Sequence, residues 1–275
     1  MASNPLQQFF RQPKIFISLP SLGMYNKTGD IDGDVSHVPV YGMTGMDEIL
    51  VKTPDALLSG DSTVKVISSC VPAIKDPWQL STIDLDSILT AIRVATYGNQ
   101  LAMSNTCSVC GTENEYEFDL GTFIEYYGNC RFENKVVLGD LTIKLRPLNY
   151  KQSSEFSIRN FQLQQTLLQV HDIKEDDEQR KKLAEIYELL ANLQNDIFIA
   201  GIESVDTAST VVTERGFIKE WVENCDGEFL SQIKKHIEAN QNKWRSPSQK
   251  IKCENCGNEQ ILNITLDQSD FFVKA

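Results

Sequence analysis

Cys107-Ser-Val-Cys110-Gly-Thr-Glu113 and Cys253-Glu-Asn-Cys256-Gly-Asn-Glu259 repeat one pattern, C-x-x-C-G-x-E, at two distant points of the chain. Each is a tight turn that aims two thiolates at one point, with Gly111 or Gly257 supplying a backbone conformation that other residues resist. Together the turns offer four sulfur ligands, Cys107, Cys110, Cys253 and Cys256, the donor set of a structural tetrahedral Zn2+ site. Such a closed shell leaves no position for water, so it adds folding energy and does not activate a nucleophile. The pattern predicts a zinc ribbon split between two distant segments. Iron takes the same sulfur geometry, and C-x-x-C also serves thiol redox chemistry, usually at the start of a helix. Here a glycine and a strand-like run follow each pair, which favours a metal.

The rest of the composition sets bounds around this centre. A chain of 275 residues with 41% hydrophobic and 23% charged residues has the make-up of a globular protein and the length for two domains. No apolar run approaches the roughly 20 residues that span a bilayer. The first residues, MASNPLQQFFRQPK, lack the apolar core of a secretory signal. The expectation is an intracellular or particle-associated protein. A net charge of −12 from 26 basic and 38 acidic residues argues against broad binding to nucleic acid or anionic membrane, which needs a basic footprint. The cysteine count is odd at seven. Four metal ligands plus three free thiols (Cys70, Cys130 and Cys225) account for it in a reducing compartment.

Upstream of the first knuckle, Ile15-Phe-Ile starts a strand that Pro20 and Gly23 break. Thr28-Gly-Asp-Ile-Asp-Gly-Asp34 has turn composition. As a calcium loop its spacing is wrong and no closing glutamate follows. Val38-Pro-Val is a second strand, and Thr44 is an N-cap for a short helix through Leu50. Thr53-Pro54 repeats the start signal. Val64 to Cys70 reads equally as strand or buried helix. Leu85 to Gly98 is a helix whose stripe is Leu85, Ile88, Leu89 and Ile92, with Gly98 as its cap. Arg93 lies off the stripe and is expected to be solvated or locally paired.

Beyond the first knuckle, Tyr116 to Leu120 alternates as a strand. Val136 to Leu138 and Leu141 to Arg146 form a hairpin turning at Gly139-Asp140. Helical character starts near Ser153. Phe156, Leu163, Leu167 and Val170 share one face, and Leu183, Ile186, Leu190, Leu193 and Ile197 form a seam. This predicts a helical hairpin or short coiled coil whose seam pairs within the chain in preference to a partner helix, its halves joined by the charged stretch His171 to Lys182. Val205 to Thr213 reads as a loop, followed by helices bearing Phe217, Ile218, Trp221 and Val222, and then Phe229, Leu230, Ile233 and Ile237. Gln260 to Leu266 is the strand after the second knuckle. Catalytic signals are sparse: His37, His171 and His236 stand in contexts without a nucleophile, and no Walker loop, G-x-G-x-x-G or H-E-x-x-H is present.

Several upstream motifs in order carry a resemblance. They are Leu19-Pro-Ser-Leu-Gly-Met-Tyr25, Val38-Pro-Val, Met43-Thr, Asp47-Glu-Ile-Leu50, Arg93-Val-Ala-Thr-Tyr-Gly98, the first knuckle, and Ile143-Lys-Leu-Arg-Pro-Leu-Asn-Tyr150-Lys. With these the chain resembles the baseplate hub and hub-assembly proteins of T4-like tailed bacteriophages. The resemblance implies a non-enzymatic role at the tail tip. Its implied partners are other hub proteins and the tape-measure protein, in the virion baseplate or in host cytoplasm during assembly. The competing reading is a zinc-ribbon nucleic-acid or transcription accessory factor, for which Arg245, Lys250 and Lys252 beside the second knuckle speak, and Glu113, Glu115 and Glu117 beside the first speak against. The expected architecture is α+β. A mixed domain covers 1–100, the split four-cysteine ribbon takes 101–150 and 245–275, and a helical insertion takes 151–244.

Overall fold

A computed structural model describes residues 5–52, 59–170 and 176–264. The architecture is α+β, with helices throughout and four small antiparallel sheets among the described residues. Two compact units divide it, Met1–Arg131 with Trp244–Ala275, and Phe132–Lys243. Three domains, with boundaries near 100, 150 and 244 and the ribbon split in two, were expected from the sequence.

In the first unit β1 (Ile15–Ile17) pairs with β2 (Val38–Val40), and Pro39 sits opposite Phe16 in this two-stranded ribbon. Proline is tolerated there because an edge strand has a side with no ladder to donate to. Helix α1 (Gly45–Val51) starts from Thr44 through a capping box. The Thr44 hydroxyl accepts from the Asp47 N–H, and the Asp47 carboxylate accepts from the Thr44 N–H. Asp47 also accepts from the Ser69 hydroxyl. Arg11 donates to the Gly42 and Ser69 carbonyls, so one polar network ties three segments together. The ambiguous stretch is helix α2 (Asp61–Cys70), which buries Val66, Ile67 and Cys70. The start signal at Thr53-Pro54 lies outside the described residues.

Helix α3 (Thr82–Tyr97) is the centre of this unit, and Gly98 caps it at φ +90°. Of the expected stripe Ile88, Leu89 and Ile92 are buried and Leu85 is half-buried, and Ser87, Thr90, Ala91 and Val94 around it are buried as well. A helix covered on nearly every face is a core helix rather than an amphipathic surface one. That placement removes the solvated alternative for Arg93, which is only 3% exposed, and leaves the local pairing, with its guanidinium 5.4 Å from the centre of the Tyr97 ring. Two further hairpins join the same core. They are β3 (Gln100–Thr106) with β4 (Glu113–Asp119), and β9 (Gln249–Lys252) with β10 (Glu259–Leu262). Leu101, Phe118 and Ile251 pack in one apolar cluster with Ile17, Val40, Ile67, Leu89 and Ile92. Helix α4 (Leu120–Asn129) adds Phe123 and Tyr127 to it.

The second unit holds a sheet of order β5 (Lys135–Leu138), β6 (Leu141–Leu145), β7 (Ile202–Asp206) and β8 (Val211–Val212). The hairpin turn is at Gly139, φ +58°, as its sequence requires. Val205 to Thr213, expected as a loop, contributes the end of β7 and all of β8. Pairing of Ile143 with Val205 explains the difference, because the β6 edge supplies a hydrogen-bonding partner that lies far away in sequence. Between β6 and β7 run helix α5 (Tyr150–Val170) and helix α6 (Asp176–Ala200), packed against each other. Arg159 reaches Asp196 at 3.6 Å, while Gln179 donates to the Val170 carbonyl at the other end, so the two helices are antiparallel. Ile186 and Leu193 of the expected seam are buried. Helices α7 (Arg215–Asn224) and α8 (Gly227–Trp244) bring Ile218, Val222 and Ile233 to Ile143, Leu145 and Ile202 of the sheet. Among the described residues no helix is long and apolar enough to cross a membrane.

Candidate metal centre

The two knuckles fold alike because the same residues stand at the same positions. In the first, the Cys107 N–H donates to the Thr112 carbonyl at 2.8 Å and the Gly111 N–H to the Cys107 carbonyl at 2.9 Å. In the second, Cys253 donates to Asn258 and Gly257 to Cys253, each at 2.9 Å. Gly111 and Gly257 take φ values of +70° and +71°. That left-handed conformation is what a side chain would strain and glycine does not.

Each hairpin presents its turn to the other, and the four Sγ atoms of Cys107, Cys110, Cys253 and Cys256 all lie within 4.8 Å of one another. Cys107 stands 3.6 Å from Cys256, and Cys110 stands 3.6 Å from Cys253. Sulfurs bound at about 2.3 Å to one tetrahedral ion are about 3.8 Å apart. The spacing therefore fits a metal, and it is far from the ~2.05 Å of a disulfide. All four thiols are free. Cys107 and Cys253 are buried while Cys110 and Cys256 face out, so each turn has one inner and one outer ligand.

The electrostatics suit thiolates that share a cation. Thr112 Oγ1, 3.3 Å from Cys110 Sγ, accepts from Asn255 Nδ2 and is free to turn its own proton to the sulfur. With the backbone N–H of Thr112 it brings the Cys110 thiol down to about 6. Backbone N–H groups of Cys256 and Asn255 lower Cys253. Cys256 is also pulled down by the Asn258 N–H, yet burial and the thiolates of Cys110, Cys107 and Cys253 together push it up to about 12. Four negative sulfurs crowd one another without a cation between them. Zn2+, when bound, would supply that cation and hold the four thiolates as ligands.

The other candidates do not converge on a site. His37 stacks on Phe16 with ring centres 4.3 Å apart. His236 Nε2 is 2.8 Å from the Glu133 carbonyl, a contact within the second unit. His171 lies outside the described residues. Cys70 is buried, and Cys130 and Cys225 are half-buried. Two residues of the centre escape a reading that stops at the glutamate of each repeat. One position further on stand Asn114 and Gln260, and the longer pattern C-x-x-C-G-x-E-amide was visible in the chain.

A family model described as T4 bacteriophage base plate protein matches residues 46–273, from helix α1 through both knuckles. The chain belongs to the T4 bacteriophage base plate protein family. This base plate protein is thus a structural component of a phage tail, with its expected location in the virion baseplate. No curated protein and no solved structure gives a significant match to it. Within the family match lie all four cysteines and the whole second unit of the base plate chain.

Proposed function

We propose that the chain is a non-enzymatic component or assembly factor of the baseplate hub, held together by structural Zn2+ on Cys107, Cys110, Cys253 and Cys256. The observation that carries this reading is the family match over residues 46–273, which takes in both knuckles and everything between them. A closed four-thiolate shell supports the non-enzymatic part, because it leaves no open coordination position. It ties two distant segments together, a use that suits a building block. Other hub proteins are the proposed partners. The tape-measure protein is a second, through helices laid against the hairpin α5–α6, on which Phe161, Leu168, Tyr187 and Leu189 remain exposed outside the internal seam. The proposed location is the virion baseplate or, during assembly, the host cytoplasm.

A nucleic-acid accessory role has less support. In β4, Glu113, Glu115, Glu117 and Asp119 line the exposed face of the first hairpin, opposite Thr106, Ser104, Ala102 and Gln100. Four carboxylates without a basic residue opposite repel a phosphate backbone. Omitting the protein during phage growth is the test. Failure of hub or baseplate formation is expected, and normal tails would refute the reading. A pull-down comparing assembly intermediates with finished particles then separates a permanent component from a factor that leaves.

A further inference from the structure

Beyond their thiolates the knuckles share a second correspondence. Asn114 follows Cys107 at the same interval at which Gln260 follows Cys253. Each amide leaves its own knuckle and reaches the other. Asn114, 5% exposed, directs Nδ2 to Cys253 Sγ at 3.5 Å and to the Thr112 carbonyl at 3.0 Å. Its Oδ1 accepts the Glu254 N–H at 3.0 Å. Gln260 directs Nε2 to Cys107 Sγ at 3.7 Å and to Ser108 Oγ at 2.6 Å, while its Oε1 accepts from Asn105 Nδ2 at 3.0 Å.

We propose that Asn114 and Gln260 form a reciprocal amide clamp that positions the inner thiolates, Cys253 and Cys107, and sets how tightly the metal is held. The inference rests on the reading of the centre as a Zn2+ site. Its physical basis is orientation. An amide has one accepting and one donating end, and the Glu254 N–H can be met only by the Asn114 oxygen, which turns the N–H end to sulfur. Ser108 and Asn105 hold Gln260 in the same sense. Four thiolates around a divalent cation leave excess negative charge on sulfur, and N–H donors aimed at sulfur offset it. Ligands held by fixed outer partners bind more tightly than free ones. Because each donor comes from the opposite hairpin, neither knuckle has its complete surroundings until both are docked, so the halves take up metal as one unit.

The test uses the full chain with Asn114→Leu, Gln260→Met and the double variant. Zinc affinity is read by competition with a colorimetric chelator, and sulfur environment by the thiolate-to-metal charge-transfer bands after loading with Co2+. Each single variant is expected to lose about 10-fold in zinc affinity and the double on the order of 100-fold. The charge-transfer bands are expected to move to lower energy as sulfur loses its donors, a readout that a general loss of stability would not produce. Unchanged affinity and unchanged bands, with one equivalent of zinc in every form, would overturn the clamp and leave the Zn2+ reading intact. A wild-type chain that takes up no zinc would overturn both. If Asn114→Leu does not fold, because the Glu254 N–H has lost its acceptor, Gln260→Met at the less buried position decides the matter alone.

Discussion

Cys110 Sγ and Cys253 Sγ lie 3.6 Å apart although 143 positions of sequence separate them. A link between such distant points restricts a very long loop in the unfolded chain, and most of the benefit comes from the bond itself, since closure entropy grows slowly with length. Structural zinc binding is worth on the order of 10 kcal/mol in small domains and appears directly as folding free energy. In this first unit, though, a substantial apolar core around Ile88, Ile92 and Phe123 also holds the fold.

Cys253→Ser is therefore expected to abolish stoichiometric zinc and lower stability by several kcal/mol, without unfolding the core. Cys110→Ser should behave alike. Metal analysis beside a urea titration checks this, and a variant that melts normally with full zinc content would contradict it.

Gly111→Ala should cost roughly 1–2 kcal/mol, from left-handed backbone strain alone. Nothing lies within 4 Å of the added methyl group, so steric clash makes no contribution. Gly111→Asn should cost less, because asparagine tolerates this conformation. Chemical denaturation of the two variants side by side distinguishes strain from packing.

Asn240→Ala addresses the second unit. Asn240 is 2% exposed, its Oδ1 accepts the Glu133 N–H at 3.0 Å, and its Nδ2 donates to the Glu133 carbonyl at 2.8 Å. Truncation leaves both backbone groups without this partner and is expected to cost about 3 kcal/mol. Lys243→Ala, which removes the exposed ion pair to Glu133 and leaves the Asn240 contacts in place, should change stability little. Hydrogen exchange at the Glu133 amide reports the difference.

Asp84 predicts a pH effect. Its carboxylate is fully buried on helix α3 and accepts from the Ser21 N–H and hydroxyl. Burial pushes its titration up to about 6, against the pull of the Ser21 donors. In the unfolded chain it titrates near 3.9, so the folded state holds the proton more tightly. Its ionised form thus costs about 3 kcal/mol at pH 7, a penalty relieved as pH falls through about 6 toward 4. Asp84→Asn keeps an acceptor for the Ser21 N–H and is expected to stabilise the protein at pH 7.5, with a smaller gain at pH 5. Thermal melts at the two pH values measure it, and an equal shift at both would refute the assignment.

Where interactions run between near neighbours, the chain alone was sufficient. Thr44 and Asp47 form their capping box three residues apart, and Gly139 turns a hairpin whose strands adjoin it. The seam through Ile186 and Leu193 was visible as a helical period, whereas the charged stretch His171 to Lys182, read as the connection, is helical from Asp176 onward. The four-cysteine cluster was legible for a related reason, since each C-x-x-C-G turn is closed by hydrogen bonds within its own few residues.

Other features depended on partners that no local pattern names. Gln100 to Thr106 has little strand character, yet it is β3, because Glu113 to Asp119 pairs with it in full register. Ile202 to Asp206 is a strand because β6 presents an edge to it. Arg93 is buried because α3 is covered on nearly every side, which its own spacing could not reveal. The sequence by itself determined the four sulfurs, the two turns and the periodic helices, all products of interactions a few residues long. Only the tertiary structure decided that Cys107 faces Cys256, that Cys110 faces Cys253, and that Asn114 and Gln260 cross from one knuckle to the other. Those contacts join segments more than a hundred residues apart, and burial of the shared core brings them within reach.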